Sequence, residues 1–199
     1  MIAVAMLIIS YLLGSITCGF YLVRILTGQD IRTLASGNPG SRNVGRLLGA
    51  KGFILTFIGD AGKGLLAVWL AERLAIFPWL PVAALLATVV GHIWPLQLRF
   101  RGGKGFATFT GGTVLLNPPV LLAGLVLCVL LYPLMRGTTR CGLVALTATP
   151  LLMSLWNIRN GVALLTPESI LFCLLVVIVL VAHRTNIRQE LGFVGQDGE

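Results

Sequence analysis

Long apolar segments fill most of this chain, and short loops rich in glycine and basic residues separate them. The apolar segments run roughly over residues 1–26, 53–77, 79–98, 106–134, 143–156 and 168–182. A helix needs about 20 apolar residues to cross the hydrocarbon core of a bilayer, and four of these segments come near that length. With 56% hydrophobic and only 11% charged residues, the chain is too apolar for a water-soluble core of this size. We therefore predict an all-α, polytopic integral membrane protein.

The number of crossings depends on the fourth segment, which Asn117, Pro118 and Pro119 interrupt. We interpret it as two short helices that meet at a bend, which gives six or seven helices in all. Only a count of seven places most of the basic residues on one side of the membrane: Arg24, Arg32, Arg42, Arg46, Lys51, Arg99, Arg101, Lys104, Arg136, Arg140, Arg184 and Arg188. The positive-inside rule makes that side the cytoplasm. We predict about seven transmembrane helices in a single membrane domain, 1–199, with the N-terminus outside and the C-terminus cytoplasmic.

The net charge of +8 and the four cysteines narrow the classes of function. The basic residues stand between apolar segments, which favours membrane topology and an anionic substrate over a nucleic acid partner. The cysteines are scattered without a Cys-x-x-Cys pair, and no cluster of metal ligands is evident, so we predict no metal and no cofactor. The phosphate-binding loop of nucleotide hydrolases is absent, because Leu98 stands where that motif has its first glycine.

The first basic loop, residues 36–46, is dense in glycine, serine and asparagine and carries Arg42 and Arg46. Successive backbone N–H groups in such a turn can form an anion-binding nest, and the two guanidinium groups add forked donors for phosphate oxygens. The alternative is a solvated loop whose arginines only set the topology.

The second basic loop, residues 100–108, places Lys104 among Gly102, Gly103 and Gly105. Glycine lets the backbone approach a ligand closely, and the ammonium group adds a point charge. A helix that begins at Phe106 would direct its N-terminus, which favours anions, at the same place. We predict phosphate binding here in preference to an interfacial turn with snorkelling cations.

Polar residues inside or beside the apolar segments are further candidates. Asp60 and Lys63 are three residues apart and so share a helix face, where they either form a plain ion pair or hold the loops of the site. His92, near the end of its segment, is interpreted as structural. On a continuing helix, His183 and Asn186 would face one cleft, although a histidine at a helix end is also a common interfacial anchor. Residues 136–140 either complete a phosphate site or form a plain turn.

In this order and at these spacings, the segments resemble the motifs of the bacterial acyl-phosphate:glycerol-3-phosphate acyltransferases, the PlsY type. The matching segments are residues 14–16, 36–46, 60–64, 91–95, 101–105 and 183–188. The resemblance implies a seven-helix protein of the bacterial inner membrane whose active site faces the cytoplasm. It also implies transfer of a fatty acyl group from acyl phosphate to the 1-hydroxyl of glycerol 3-phosphate. The products would be lysophosphatidate and phosphate, in the first step of phospholipid synthesis, and the partners would be these substrates and membrane lipid.

The resemblance and the loop analysis together give the expected site residues. The expected catalytic residues are Lys104, His183, Asn186 and Arg46. The expected substrate-binding residues are Ser36, Gly37, Asn38, Arg42, Asn43, Gly102, Gly103, Gly105 and Thr139. Among these, Thr139 stands where the family has a serine that contacts the substrate phosphate.

One departure from the family pattern bears on the acceptor. The family usually has Gly-Ala-Thr-Asn-x-x-Arg, and here Arg42 replaces the small hydroxyl residue. An added forked donor would suit a different phosphorylated alcohol, so an acyltransferase with another phosphorylated acceptor remains an alternative. A transporter of a phosphorylated metabolite is the second alternative, although its site is expected at the membrane midplane, whereas these motifs cluster at one face.

Overall fold

The computed structural model describes residues 1–190, and throughout this part of the chain the regular structure is helical. It contains the α-helices α1 (Ile2–Ser15), α2 (Cys18–Thr27), α3 (Ser41–Leu74), α4 (Leu80–Ile93), α5 (Phe106–Leu116), α6 (Pro118–Met135), α7 (Thr138–Arg159), α8 (Pro167–Ala182) and α9 (Arg184–Glu190). Short 3₁₀ turns lie at Ile31–Thr33 and Leu96–Leu98. The prediction of an all-α protein is confirmed.

The apolar helices account for the predicted membrane crossings. Five helical segments are long and apolar enough to span a bilayer, and they are Ile2–Thr27, Ser41–Leu74, Leu80–Leu98, Pro118–Met135 and Thr138–Arg159. Two shorter apolar helices, α5 and α8, complete the set. The chain is therefore a polytopic integral membrane protein with about seven crossings, short ones included. The orientation of its termini stays a prediction.

The first apolar segment, predicted as one helix over 1–26, is in fact two helices with a break at Ile16 and Thr17. Breaking a helix frees carbonyl groups that must find donors in an apolar environment. The Lys63 ammonium group of α3 supplies them, donating to the carbonyl oxygens of Gly14 at 3.0 Å and Ile16 at 2.8 Å. The break was not predicted because its hydrogen-bond donor comes from a distant part of the chain.

Helix α3 begins earlier than predicted and takes up part of the first basic loop. Its N-cap is Gly40, whose carbonyl oxygen accepts from the backbone N–H groups of Asn43 and Val44. Residues 41–46, which the sequence indicated to be loop, are therefore helical, and Arg42 and Arg46 lie one turn apart on the same face. The helix is kinked at Gly49, where φ is +68° and ψ is −165°, a conformation that only glycine adopts readily.

The predicted division of the fourth apolar segment into two helices at Asn117 is confirmed. Helix α5 ends at Leu116, and α6 begins at Pro118, a residue suited to the first helical position because it lacks an N–H group. The Asn117 side chain caps α6 by accepting from the Val120 N–H at 3.2 Å.

The chain divides into two compact units, Met1–Leu116 and a second that begins at Asn117. In the first unit, α3 packs against α1, α2, α4 and α5, and α1 packs against α4. These helices approach very closely: a Cβ built on Gly111 of α5 would lie 1.9 Å from the Ala61 carbonyl oxygen of α3. Such small-residue contacts are typical of helix packing in membranes. In the second unit, α7 packs against both α6 and α8. A single membrane domain over 1–199 stays a prediction.

Candidate active site

A bidentate ion pair shapes the start of the first basic loop. The Arg32 guanidinium group binds the Asp30 carboxylate, with Nη2 and Oδ2 2.6 Å apart, and these bonds hold the pKa of that carboxyl below its usual range. Arg32 also stacks over the Phe20 ring at 5.0 Å and donates from Nη1 to the Leu98 carbonyl oxygen at 2.8 Å. Arg32 thereby ties the first loop to the segment that leads into the second. Sequence reasoning missed this role because it counted Arg32 only as a topological charge.

Asparagine side chains hold the rest of the first loop in shape. Asn43 is only 2% exposed, and its amide donates to the Leu34 carbonyl oxygen at 3.1 Å while its Oδ1 accepts from the Ser36 N–H at 3.3 Å. Asn38 accepts from the Gly40 N–H at 3.2 Å, which forms a local turn before α3. Both side chains are engaged with the backbone, whereas Ser36 is exposed. Substrate binding by Ser36, Asn38 and Asn43 stays a prediction, and a positioning role fits Asn43 better.

The second basic loop lies directly on the end of α4. The N–H groups of Gly102 and Gly103 donate to the carbonyl oxygens of Ile93 and His92, at 3.1 and 3.0 Å. A Cβ on Gly103 would lie 2.0 Å from His92 Nε2, so a larger residue does not fit there. Gly105 has φ of +81°, and its carbonyl oxygen accepts from the Phe109 N–H in the first turn of α5. These contacts place Lys104 just before the N-terminus of α5, as predicted.

Arg42 lies near enough to Lys104 for its positive charge to act on the Lys104 ammonium group, so the structure brings residues of the two predicted basic loops together within the first unit. Lys104 is half-buried, and burial lowers the pKa of its ammonium group. The Arg42 guanidinium group lowers the pKa of Lys104 further, because a neighbouring positive charge disfavours the protonated form. Arg42 and Arg46 are both exposed on α3. A doubly charged anion at this place would offset the repulsion between the cations.

Residues of the second unit carry the remaining predicted groups. Thr139 lies in the first turn of α7. His183 lies between two helices, because α8 ends at Ala182 and α9 begins at Arg184. His183 still lies one turn before Asn186, since the Ile187 N–H donates to the His183 carbonyl oxygen at 2.9 Å.

The ring of His183 is fixed by its own helix. It is 8% exposed, and its Nδ1 lies 2.8 Å from the Val179 carbonyl oxygen. Because a carbonyl oxygen can only accept, Nδ1 carries the hydrogen, and in the neutral ring the lone pair is on Nε2. Nε2 is therefore the nitrogen of His183 that can accept a proton.

The predicted Asp60–Lys63 ion pair is present within α3, with Lys63 Nζ 2.9 Å from Asp60 Oδ1. His92, interpreted as structural from the sequence, joins this pair through a contact of 2.7 Å between Nδ1 and Lys63 Nζ. No sequence pattern predicts that His92 also abuts Gly103, because that contact depends on how the second loop folds back onto α4.

Comparison with known proteins identifies the family. The sequence profile described as glycerol-3-phosphate acyltransferase matches residues 4–192. This chain belongs to the glycerol-3-phosphate acyltransferase family. A curated member, glycerol-3-phosphate acyltransferase 1 of Desulfitobacterium hafniense (strain Y51), is 40% identical over 191 residues, covering 96% of this chain and 92% of that protein. The glycerol-3-phosphate acyltransferase of Pseudomonas aeruginosa (strain LESB58) is 40% identical over 185 residues, covering 91% and 92%.

Solved structures of acyltransferases of this family share the fold. The crystal structure of PlsY (YgiH), an integral membrane glycerol 3-phosphate acyltransferase, in its glycerol 3-phosphate form superposes with a TM-score of 0.84 at 30% identity. That alignment covers 100% of this chain and 96% of the other. The lysophosphatidic acid form of PlsY superposes with a TM-score of 0.81 at 28% identity, covering 96% of this chain and 93% of the other.

Proposed function

We propose that this acyltransferase moves a fatty acyl group from acyl phosphate to the 1-hydroxyl of glycerol 3-phosphate, giving lysophosphatidate and inorganic phosphate. Membership of the family supports glycerol 3-phosphate as the acceptor, and the solved relatives were crystallised in glycerol 3-phosphate and lysophosphatidic acid forms. The observation that carries the proposal is the half-buried Lys104, held beside Arg42 on a glycine loop that opens α5.

The chemistry needs no nucleophile from the protein. An acyl phosphate is a mixed anhydride, so its carbonyl carbon is already activated and phosphate is a good leaving group. The 1-hydroxyl oxygen forms a bond to that carbon, the bond from the carbon to the phosphate oxygen breaks, and the hydroxyl proton must pass to a base. The protein's task is then to position two substrates and to stabilise charge.

Positive charge is needed because each substrate brings a phosphate group to the same place. We assign the acyl phosphate to the glycine-rich loops. Arg42 binds its oxygens together with backbone N–H groups of the loops other than those of Gly102 and Gly103, which donate to α4. Lys104 and Arg46 orient the phosphate of glycerol 3-phosphate. The N-terminus of α5 adds a partial positive charge next to Lys104.

The remaining roles in the proposed mechanism are assigned to residues of the second unit. We assign Thr139 to the acceptor phosphate, through its hydroxyl group. Asn186 positions the acceptor hydroxyl or the reacting carbonyl. His183 accepts the hydroxyl proton on Nε2, since its Nδ1–H bond to the Val179 carbonyl oxygen leaves the lone pair there.

The distribution of basic residues predicts how the protein is oriented in its membrane. We infer that the protein lies in the bacterial inner membrane with its N-terminus outside, its C-terminus in the cytoplasm and its active site facing the cytoplasm. The distribution of basic residues among the loops supports this orientation. Glycerol 3-phosphate, a charged and water-soluble substrate, would then reach the site from the cytoplasm, while acyl phosphate would enter from the membrane.

A phosphate-release assay on detergent-purified protein tests the proposed function. Palmitoyl phosphate is the donor, and glycerol 3-phosphate, glycerol and other phosphorylated alcohols are compared as acceptors. We expect phosphate and lysophosphatidate to form in equal amounts with glycerol 3-phosphate and not with glycerol. Phosphate release that does not depend on any acceptor would contradict the proposal, and a preference for another phosphorylated alcohol would reassign the acceptor.

The Lys104→Ala variant tests the site within the same assay. Losing a donor that stabilises transition-state charge costs about 2–4 kcal/mol, so turnover should fall by about 30- to 1,000-fold. Lys51→Ala is the matched control, because Lys51 is an exposed lysine of α3. If Lys104→Ala turned over at the rate of Lys51→Ala, the assignment of Lys104 would be wrong.

A further inference from the structure

Three ionisable side chains are buried among the helices of the first unit, outside the residues assigned to the substrates. Asp60 and Lys63 of α3 are 1% and 5% exposed, and His92 of α4 is 3% exposed. Burying charge in an apolar environment is costly, and such residues in membrane proteins usually have a function beyond holding the fold. Here they form one connected group, which we term the buried cluster.

Lys63 is the centre of the buried cluster. Its ammonium group lies 2.9 Å from Asp60 Oδ1, 2.7 Å from His92 Nδ1, and within 3.0 Å of the carbonyl oxygens of Gly14 and Ile16. An ammonium group can only donate, so His92 Nδ1 accepts and the ring hydrogen is on Nε2. The buried cluster therefore fixes the orientation of the His92 ring.

Asp60 extends the buried cluster to a further element. Its Oδ1 accepts from the Cys18 N–H, the first residue of α2, at 3.3 Å. Together with the bonds of Lys63 to the end of α1, this joins α1, α2, α3 and α4 at one level of the first unit. The buried cluster is therefore more than an ion pair within α3, because it also includes His92 and bonds to the backbone at the break between α1 and α2.

His92 connects the buried cluster to the glycine loop in two ways. Its carbonyl oxygen accepts from the Gly103 N–H at 3.0 Å. Its Nε2 occupies the space that a side chain on Gly103 would need, since a Cβ there would lie only 2.0 Å away. The residue immediately before Lys104 is thus held both by the backbone and by the ring of His92.

We propose that Asp60, Lys63 and His92 are positioning residues that hold the glycine loop so that Lys104 stays beside Arg42 and can bind phosphate. The proposal rests on the proposed function in one respect, that Lys104 is a phosphate ligand. It assigns to the buried cluster no contact with either substrate. The buried cluster affects the reaction by fixing the position of Gly103, the residue before Lys104.

A double-mutant cycle between the buried cluster and Lys104 separates positioning from a purely structural role. His92→Leu removes the acceptor for Lys63 and the ring that abuts Gly103. If the loop is then displaced, Lys104 no longer contributes, and adding Lys104→Ala should cost less than a third of what it costs in the unmodified protein. If His92 only supports the fold, Lys104→Ala should cost the same factor in both backgrounds once rates are normalised to folded protein, and the proposal would be overturned.

Conservative and control variants sharpen the cycle. His92→Asn keeps an acceptor oxygen near the position of Nδ1. In this background, Lys104→Ala should therefore reduce the rate by a larger factor than it does in the His92→Leu background. The neutral pair Asp60→Asn with Lys63→Met avoids an isolated buried charge, and it serves where His92→Leu does not fold. Thr88→Val is the matched control, because Thr88 is a buried polar residue of α4 that bonds within its own helix, to the Ala84 carbonyl oxygen. Thr88→Val should leave the full effect of Lys104→Ala.

Binding of glycerol 3-phosphate, measured by calorimetry on the same purified variants, gives a second readout that does not require turnover. A cycle that is non-additive for binding supports the buried cluster even if palmitoyl phosphate proves to be the wrong donor, which would refute only the proposed reaction. If the cycles are additive for both turnover and binding, the positioning role of the buried cluster is overturned, whereas the proposed reaction is unaffected. Failure of the unmodified protein to bind glycerol 3-phosphate would overturn both.

Discussion

Replacing Gly103 with alanine tests how far the reaction depends on the shape of the glycine loop. The new Cβ would lie 2.0 Å from His92 Nε2, whereas ordinary van der Waals contact begins at 3.4 Å. The loop and the ring must therefore separate by about 1.4 Å, because close-packed interiors do not absorb such an overlap. Lys63 holds the ring from its other side, with 2.7 Å between Nζ and Nδ1, so we expect the loop to move.

The size of the effect follows from that displacement. A misplacement of about 1 Å at a catalytic site can cost about 100-fold in rate, which corresponds to about 2.7 kcal/mol. Overpacking of this kind also destabilises a fold by about 1–3 kcal/mol. We therefore expect kcat of Gly103→Ala to fall by about 100-fold, with a small decrease in the melting temperature.

The assay is phosphate release from palmitoyl phosphate in the presence of glycerol 3-phosphate, with thermal unfolding of the same samples. Gly62→Ala is the matched control, because a Cβ on Gly62 of α3 would meet nothing within 4 Å. Alanine is favoured over glycine in a helix by about 1 kcal/mol, so Gly62→Ala should keep its activity and its stability. If Gly103→Ala kept kcat within about threefold of Gly62→Ala, the loop would tolerate the displacement and the reasoning would fail.

Two further predictions concern the titrating groups of the site. Arg42→Thr removes the neighbouring charge that lowers the pKa of Lys104, so the alkaline limb of kcat/KM should move to higher pH, while KM for palmitoyl phosphate rises. A pH profile checks this, and Arg159→Thr, an exposed arginine at the end of α7, should leave the limb in place. His183→Gln keeps a side chain of similar size without a basic nitrogen, and kcat should fall by about 100-fold or more. A fall in kcat of less than about tenfold would point to the substrate phosphate as the base.

The sequence predicted the elements whose causes are local. Apolar length gave six or seven crossings, the distribution of basic residues favoured seven, and the prolines after Asn117 predicted the division between α5 and α6. The break between α1 and α2 was missed because an isolated apolar run shows no reason to stop at Ile16. The carbonyl oxygens freed by the break accept from the ammonium group of Lys63, which belongs to another helix.

The site shows the same division between local and distant causes. The Gly-Gly-Lys-Gly run is a local signal, and the loop at Lys104 lies before α5 as expected. The contact between His92 and Gly103 and the bond from Arg32 to the Leu98 carbonyl oxygen join parts of the chain that no spacing rule relates. For this reason the sequence identified candidate ligands of phosphate but not the residues that hold them in place.

The balance of phosphate groups in the reaction determines which of these residues matter most for rate. Two phosphate groups are bound before transfer and two after it, because the acyl group only changes partners. Cations that bind the substrates and the transition state equally lower KM without raising kcat, whereas correct placement of the reacting groups raises kcat. Arg42, an exposed cation, should therefore act mainly on KM, and Gly103, which fixes the loop, mainly on kcat. An Arg42→Thr variant with unchanged KM and a large loss of kcat would reverse this ranking and place Arg42 at the reacting carbonyl instead.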